Sequence, residues 1–387
     1  MAMWLDAPRN PKAPLAGIRV LELARVLAGP FCGQILADLG ADVIKVESPD
    51  GDGTRQWGPP WIEHEGERTA AYYHACNRGK RSIVADFRDA EQLALVHALA
   101  DGADVVIENF LPGKLARFGL DHARLSERND AIVTCSISGF GQDGPRRDEP
   151  GYDFVIQAMS GMMSLTGEPD GAPMKHGLSI SDLACGLWAA NAIQAALLMR
   201  ERPGARQGRG QHIDMSLLDS SVALLANQAM SWFASEQLPP RMGNAHAQVS
   251  AYGVFPTKDG PVVLAPANDG LFRRLLTVLK REDLLADPRY ASNAGRLAHR
   301  TEIDAVISGA TRELTRADLL SACAEAGIPA GPINDLAEVF ADPQVVSRGG
   351  MMKLGGVATL PSPFRFSDAE LALDRASPSL GKDMPDR

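Results

Sequence analysis

Cysteine is scarce in this chain of 387 residues and poorly placed for cross-linking. The five cysteines, Cys32, Cys76, Cys135, Cys185 and Cys323, are odd in number and far apart, with no CxxC pair. That excludes a disulfide framework and a dithiol motif, and leaves them as reduced core residues. The 8 histidines form no ligand-spaced pair with one another or with cysteine, so no zinc signature exists and no metal is predicted. The turn LARVLAGP after the first predicted strand lacks GxGxxG, which argues against nicotinamide or flavin chemistry. Basic residues are outnumbered, 39 Lys and Arg against 48 Asp and Glu, for a net charge of −9. No nucleic-acid partner is expected at that balance. The N-terminus MAMWLDAPRNPKAP shows no basic-then-apolar leader, so a cytoplasmic location is expected. Repeats and low-complexity tracts are absent as well.

What is present is an ordinary globular composition, 45% hydrophobic and 22% charged, long enough for two domains. Residues 17–47 read as strand, turn, helix and strand, with Pro30 opening the helix and Gly40 closing it. Three more apolar runs, SIVADF, DVVIENF and AIVTCSISGFG, lack clean alternation and imply a parallel sheet covered by helices on both faces. In such sheets ligands bind beyond the carboxyl ends of the strands. The turns at Arg25 to Gly29, at Asn109 and at SGFGQDGP are therefore candidate contacts. For Asn109 an Asx-turn is an equal alternative. The cluster Arg78, Lys80 and Arg81 suits a solvated turn or a phosphate. Met159, Met162 and Met163 read as core filler. From about Pro239 the texture changes to two short strands around TKDG and three helices, a separate small α+β domain to about residue 328. The Pro/Gly-rich tail returns toward the first domain.

The segment from Gly177 to Leu218 organises the rest. From Leu183 to Met199 no residue is charged, which predicts a helix buried on nearly all sides. The run falls one residue short of the about 18 that suggest a membrane span and is rich in small side chains, so no membrane association is expected. At its mouth stands a single carboxylate, Asp182. It has two readings: a helix cap, or, because Ser179 and Ser181 already offer caps, a free carboxylate aimed into a cleft and fit to attack an acyl group.

The stretches PLAGIRVLELARVLAGPFCGQILADLGADVIKVE, CNRGKRSIVADF, ADVVIENFLPGKLARFGL, SISGFGQDGP, SISDLACGLWAANAIQAALLMRERPGARQGRGQHIDMSLLDS and AGIPAGPINDLAEVFADPQ together resemble the class III coenzyme A-transferase family, also called CaiB/BaiF. The resemblance runs along essentially the whole chain. It implies an α/β protein with a Rossmann-like parallel-sheet large domain and an inserted small α+β domain, in an interlocked homodimer. The expected division is residues 1–225 for the first part of the large domain, 226–245 for a linker, 246–328 for the small domain, and 329–387 for a second linker and the return. The resemblance assigns Asp182 as nucleophile. It places coenzyme A contacts at Arg25, Leu27 and Ala28, at Ala85 and Arg88, at Asn109, Phe110 and Arg117, and at Ser138, Gly139 and Phe140. It implies no permanently bound cofactor, coenzyme A and acyl-CoA being substrates. The activity implied is an exchange of coenzyme A between an acyl-CoA, succinyl-CoA-like, and a small carboxylic or dicarboxylic acid. Where formyl-CoA transferase has a glycine-rich loop, this chain has RMGNAHAQVS with Gly243 alone, so Asn244 or His246 is expected to assist there. Tyr152 stands where the racemase branch carries a histidine, which disfavours a 2-methylacyl-CoA racemase. A non-catalytic coenzyme A-binding protein is the other alternative.

Overall fold

The computed structural model describes residues 3–204 and 207–385. The described chain divides into two compact units. The first comprises Met1–Met163, Lys175–Gln237 and Val346–Arg387; the second comprises Ser164–Met174 and Leu238–Val345.

The first unit is built on six parallel strands: β1 (Arg19–Glu22), β2 (Asp42–Glu47), β3 (Arg81–Val84), β4 (Val105–Glu108), β5 (Val133–Ser138) and β6 (His212–Ser216). Their order is β3-β2-β1-β4-β5-β6, with every neighbouring pair parallel. This is the doubly wound order, and its direction reverses between β1 and β4, which opens a crevice at their carboxyl ends. The near-continuous apolar runs follow from burial on both faces. Val20, Val43, Val105 and Val133 pack in one core cluster, Leu21, Ile44 and Val106 in another.

The first core is closed by helix α1 (Ala28–Asp38) and the long helix α5 (Ile180–Glu201). Between them in sequence lie α2 (Ala90–Asp101), α3 (His122–Arg128) and the short α4 (Asp153–Met159). Gly186 lets α5 approach α1, because a Cβ there would lie 2.7 Å from the Ala28 carbonyl oxygen. That close approach brings the first turn of α5 to the entrance of α1. By length and composition α5 could cross a membrane. Its burial differs from the all-round burial expected of it. Cys185, Ala189, Ile193 and Ala196 face the core, but Leu187, Trp188, Leu198 and Met199 are 46% to 52% exposed. The segment expected as one helix over Leu217 to Ala234 is two, α6 (Leu217–Ala223) and α7 (Ala226–Ser235). Ala226 takes a positive φ of 39° there, which interrupts the regular helical path. Helix α7 thus falls within the stretch 226–245.

The segment Trp61–His64 pairs antiparallel with Glu67–Ala70, a hairpin within the stretch read as surface loop. The C-terminal segment returns to the end of α1 and the β3 edge: Ala372 N–H donates to the Asp38 carbonyl at 2.8 Å and Asp383 N–H to the Ser82 carbonyl at 2.9 Å. The second unit holds a three-stranded antiparallel sheet, Gly253–Thr257, Gly260–Leu264 and Ala330–Pro332. Helices Asp269–Val278, Arg300–Thr311 and Arg316–Glu325 bury Phe272, Leu276, Ile303, Ile307 and Leu319 with it.

Candidate active site

Asp182 sits in the first turn of α5, where orphan N–H groups need acceptors. One of them, the Ser181 N–H, is served from elsewhere, while the Ile180 and Leu183 N–H groups donate to the nearby Leu178 and Ser179 carbonyls. The Asp153 carboxylate accepts from the Ser181 N–H at 2.9 Å and from Gln157 Nε2 at 2.7 Å. The Ser181 hydroxyl accepts from Ser221 Oγ at 2.9 Å. Ser179, the N-cap residue, makes no side-chain cap bond. Among the described residues the Asp182 carboxylate has no hydrogen-bond or ion-pair partner. The capping reading therefore fails on a non-local fact: a carboxylate from α4 does the capping.

The Asp182 side chain instead faces a cavity of about 320 Å³. The carboxyl ends of β1, β4 and β5 form its walls, with Arg25, Val26, Leu27 and Ala28 on one side and Asn109, Phe110, Leu111 and Lys114 on another. Ser138, Gly139, Gly151 and Tyr152 complete it. Gly139 and Gly151 let two chain segments touch, since a Cβ on Gly139 would lie 2.6 Å from the Gly151 Cα. Burial, and secondarily the Asp153 charge, pushes the Asp182 carboxyl up to about 7. Tyr72 is itself held above the usual phenol range by burial first and by the charge of Asp182 second.

Of the contacts expected from sequence, Arg25, Leu27, Ala28, Asn109, Phe110, Ser138 and Gly139 line this one cavity with Asp182. Ala85, Arg88, Arg117 and Phe140 do not. Ala85 is buried at the strand edge, its N–H donating to the Glu47 carbonyl at 2.9 Å. Arg88 is exposed and paired with Asp86 at 2.8 Å. Phe140 packs against the sheet core. Arg117 is set back from the cavity behind a row of rings: its guanidinium lies over the Phe118 ring at 4.5 Å, Phe118 meets Phe87 at 5.3 Å, and Phe87 stacks on the lining residue Phe110 at 6.2 Å. The Asn109 amide clamps Arg25, donating to its carbonyl at 2.7 Å and accepting from its N–H at 3.0 Å. Val26 lies in the Arg25 to Gly29 turn expected to touch a ligand, whereas sequence reasoning missed the roles of Tyr72 and Asp153. The dipeptide Tyr152-Asp153, one residue exposed and the next a cap for a distant helix, carries no local signature. Gly243, Asn244 and His246 belong to the second unit, where the Gly243 N–H donates to the Gly167 carbonyl and His246 Nδ1 accepts from the Gln248 N–H.

A doubly wound sheet with a carboxylate-bearing cavity at its switch point defines an α/β protein of the ligand-binding, open-sheet class. The chain belongs to CoA-transferase family III, whose pattern spans residues 15–384, and it is a transferase enzyme. The succinate–glutarate CoA-transferase of Agrobacterium fabrum is 52% identical over 385 residues, 97% of this chain and 95% of that protein. The succinyl-CoA:glutarate CoA-transferase of Homo sapiens is 37% identical over 389 residues, 98% and 87% of the two chains. A crystal structure of a CaiB/BaiF family protein from Brucella suis is 52% identical and superposes with a TM-score of 0.87 over 96% of this chain and 97% of that one.

The high value for Asp182 has a kinetic consequence. A carboxyl that titrates near 7 is mostly protonated, and not nucleophilic, below that pH. With Asp182 as the nucleophile that the family resemblance implies, kcat/KM is expected to climb about tenfold per pH unit below about 7 and to level off above it. Glu108, also pushed up to about 7 by burial, does not line the cavity. A rate profile flat from pH 5 to 8 would contradict the assignment.

Proposed function

We propose that the enzyme exchanges coenzyme A between succinyl-CoA and a small dicarboxylic acid of the glutarate class, with Asp182 as covalent carrier. The observation that carries this reading is the Asp182 carboxylate, unpartnered and facing the switch-point cavity. Burial makes it more basic than an ordinary aspartate, and a more basic carboxylate is a better nucleophile.

Asp182 attacks the thioester carbonyl, the C–S bond breaks, and coenzyme A leaves as thiolate from a mixed anhydride. The thiolate attacks the aspartyl carbonyl, releasing succinate and leaving an aspartyl-CoA thioester. The acceptor carboxylate then attacks that carbonyl, expels the thiolate and forms a new anhydride. Attack by the thiolate on the acceptor acyl carbon yields the new acyl-CoA and restores Asp182. Carboxylate and thiolate both leave acceptably, so each barrier is lower than for direct exchange. Arg25, Leu27, Ala28, Asn109, Phe110, Ser138 and Gly139 hold the coenzyme A portion in this reading, with Arg117 and Arg88 toward its outer end and Ala85 and Phe140 behind. The glutarate preference is supported by the activities for which the Agrobacterium and human relatives are named.

The same reading includes a homodimer with interlocked chains. The apolar side chains exposed on α5, together with Met230, Trp232 and Phe233 on α7, support a partner surface, because patches of this kind seldom face water.

The test is incubation with succinyl-CoA and a panel of carboxylic acids, followed by mass spectrometry of the CoA esters. Glutaryl-CoA should form faster than any monocarboxylic ester, and hydroxylamine should trap label on the peptide containing Asp182. Absence of any new dicarboxylic CoA ester would overturn the substrate reading; label on another residue would overturn the carrier.

A further inference from the structure

Val26 stands in the middle of the Arg25–Ala28 turn with φ of 71°. For a β-branched residue this is a strained conformation, kept only where surrounding groups enforce it. Four side chains do so, one of them the Cys76 thiol, which donates to the Val26 carbonyl at 3.6 Å. The Lys45 ammonium, on β2, donates to the Ala24 carbonyl at 2.8 Å. The Asn109 amide clamps both backbone groups of Arg25. The Asp52 carboxylate, in the loop after β2, accepts from the Val26 N–H at 3.1 Å.

Asp52 is in turn fixed. It is buried, it accepts from the Thr54 N–H at 3.0 Å and Thr54 Oγ1 at 2.8 Å, and Lys45 Nζ lies 3.0 Å away. Its own N–H donates to Glu47 Oε2 at 2.9 Å, and Glu47 is held by Arg55 at 2.8 Å. Burial opposes its charge, but Lys45 and Thr54 outweigh this and hold the carboxyl below its usual range. None of these atoms belongs to a residue that lines the cavity except Val26, Arg25 and Asn109.

We infer that Asp52 is a positioning residue for acyl-CoA binding: its carboxylate holds Val26 left-handed and so presents Arg25, Leu27 and Ala28 to the ligand. The inference rests on the reading that this turn receives coenzyme A. Without the clamp, the turn relaxes toward negative φ, and each binding event must restore the strained form, which lowers apparent affinity by the fraction of competent molecules.

The experiment measures coenzyme A binding by calorimetry on the full-length enzyme. Asp52→Asn keeps the shape but loses the charge that faces Lys45. It should raise the dissociation constant about tenfold. A second change, Val26→Gly in the same chain, should bring it back to within about threefold, because glycine adopts a positive φ without steric conflict. A role confined to general stability would not be relieved by a glycine at position 26. Wild-type affinity in Asp52→Asn, or a loss that Val26→Gly leaves intact, overturns the inference. Arg25→Ala separates the clamp from the site it serves. Weakened binding in Arg25→Ala with normal binding in Asp52→Asn sinks the clamp alone. Unchanged binding in Arg25→Ala removes the turn from the coenzyme A site and the clamp with it.

Discussion

Replacing Asp182 with alanine is expected to lower kcat at least ~10⁴-fold, since in the proposed mechanism it is the covalent carrier, and its loss removes the reaction path and not one contact along it. Coenzyme A affinity should change little, because the surrounding strand-end turns remain. Asp182→Asn should be nearly as inactive, as an amide cannot carry the acyl group as an anhydride. The same variant should be more stable than the parent. The carboxyl titrates near 7 in the fold against an ordinary value of 3.8, so between those values the native state binds the extra proton and stability falls as pH rises through the window. Above pH 7 the buried charge costs up to about 4 kcal/mol, at about 1.4 kcal/mol for each tenfold change in proton affinity. Asp182→Asn should therefore raise the urea midpoint at pH 8 and leave it nearly unchanged at pH 4. An inactive variant no more stable at pH 8 would mean that the carboxylate is solvated in the free enzyme.

That opposition of activity and stability explains why the site is only half legible in the sequence. The position of Asp182 at the head of an uncharged helix is visible in the letters, and so are the strand-end turns, because apolar runs punctuated by Gly and Pro mark where a covered parallel sheet ends. Whether Asp182 caps its own helix is not visible. The answer depends on Asp153 reaching the Ser181 N–H from 28 positions earlier. The buried charges are less legible still. In DVIKVE the Lys45 side chain looks like one that snorkels from a strand to water, yet it is fully enclosed between Glu22 and Asp52. Periodicity reports which face a residue occupies, not whether a partner on another strand waits for it. The exposed stripe of α5 is the converse case. Leu187, Trp188, Leu198 and Met199 read as core because an apolar run does not record which of its faces the chain itself covers.

The enclosed charges lead to the second large effect. Glu22 is fully buried beneath α1, with Lys80 Nζ at 2.8 Å and Lys45 Nζ at 3.1 Å. The two ammonium groups are not equivalent. Burial works against Lys45, but Glu22, Asp52 and Glu47 together outweigh it and raise its value. Burial lowers Lys80, whose paired carboxylate is Glu22 and which Lys45 repels. Among the described residues, Glu22→Ala would leave Lys80 with the Pro30 carbonyl at 2.8 Å and the Asn77 amide oxygen at 2.9 Å. We expect a loss of about 3–5 kcal/mol at pH 7, the range for an ion left alone in an interior. The sign of its pH dependence follows from the same geometry. With Glu22 gone the native state disfavours protonated Lys80, so between its depressed value and the ordinary ~10.4 it binds fewer protons than the unfolded chain, and stability rises with pH. Relative to wild type, the variant should recover part of its deficit between pH 7 and 10 in urea unfolding. Adding Lys80→Met should restore more than half of the loss at pH 7, since removing both members of a buried pair costs far less than removing one. A deficit that is independent of pH and indifferent to Lys80→Met would mean that Glu22 acts through packing alone. Recovery by Lys80→Met would instead identify charge burial as the source, and would show that the ion cluster beside the turn, with its bonds to the Ala24 and Pro30 carbonyls, is retained at a cost in stability that apolar packing would not incur.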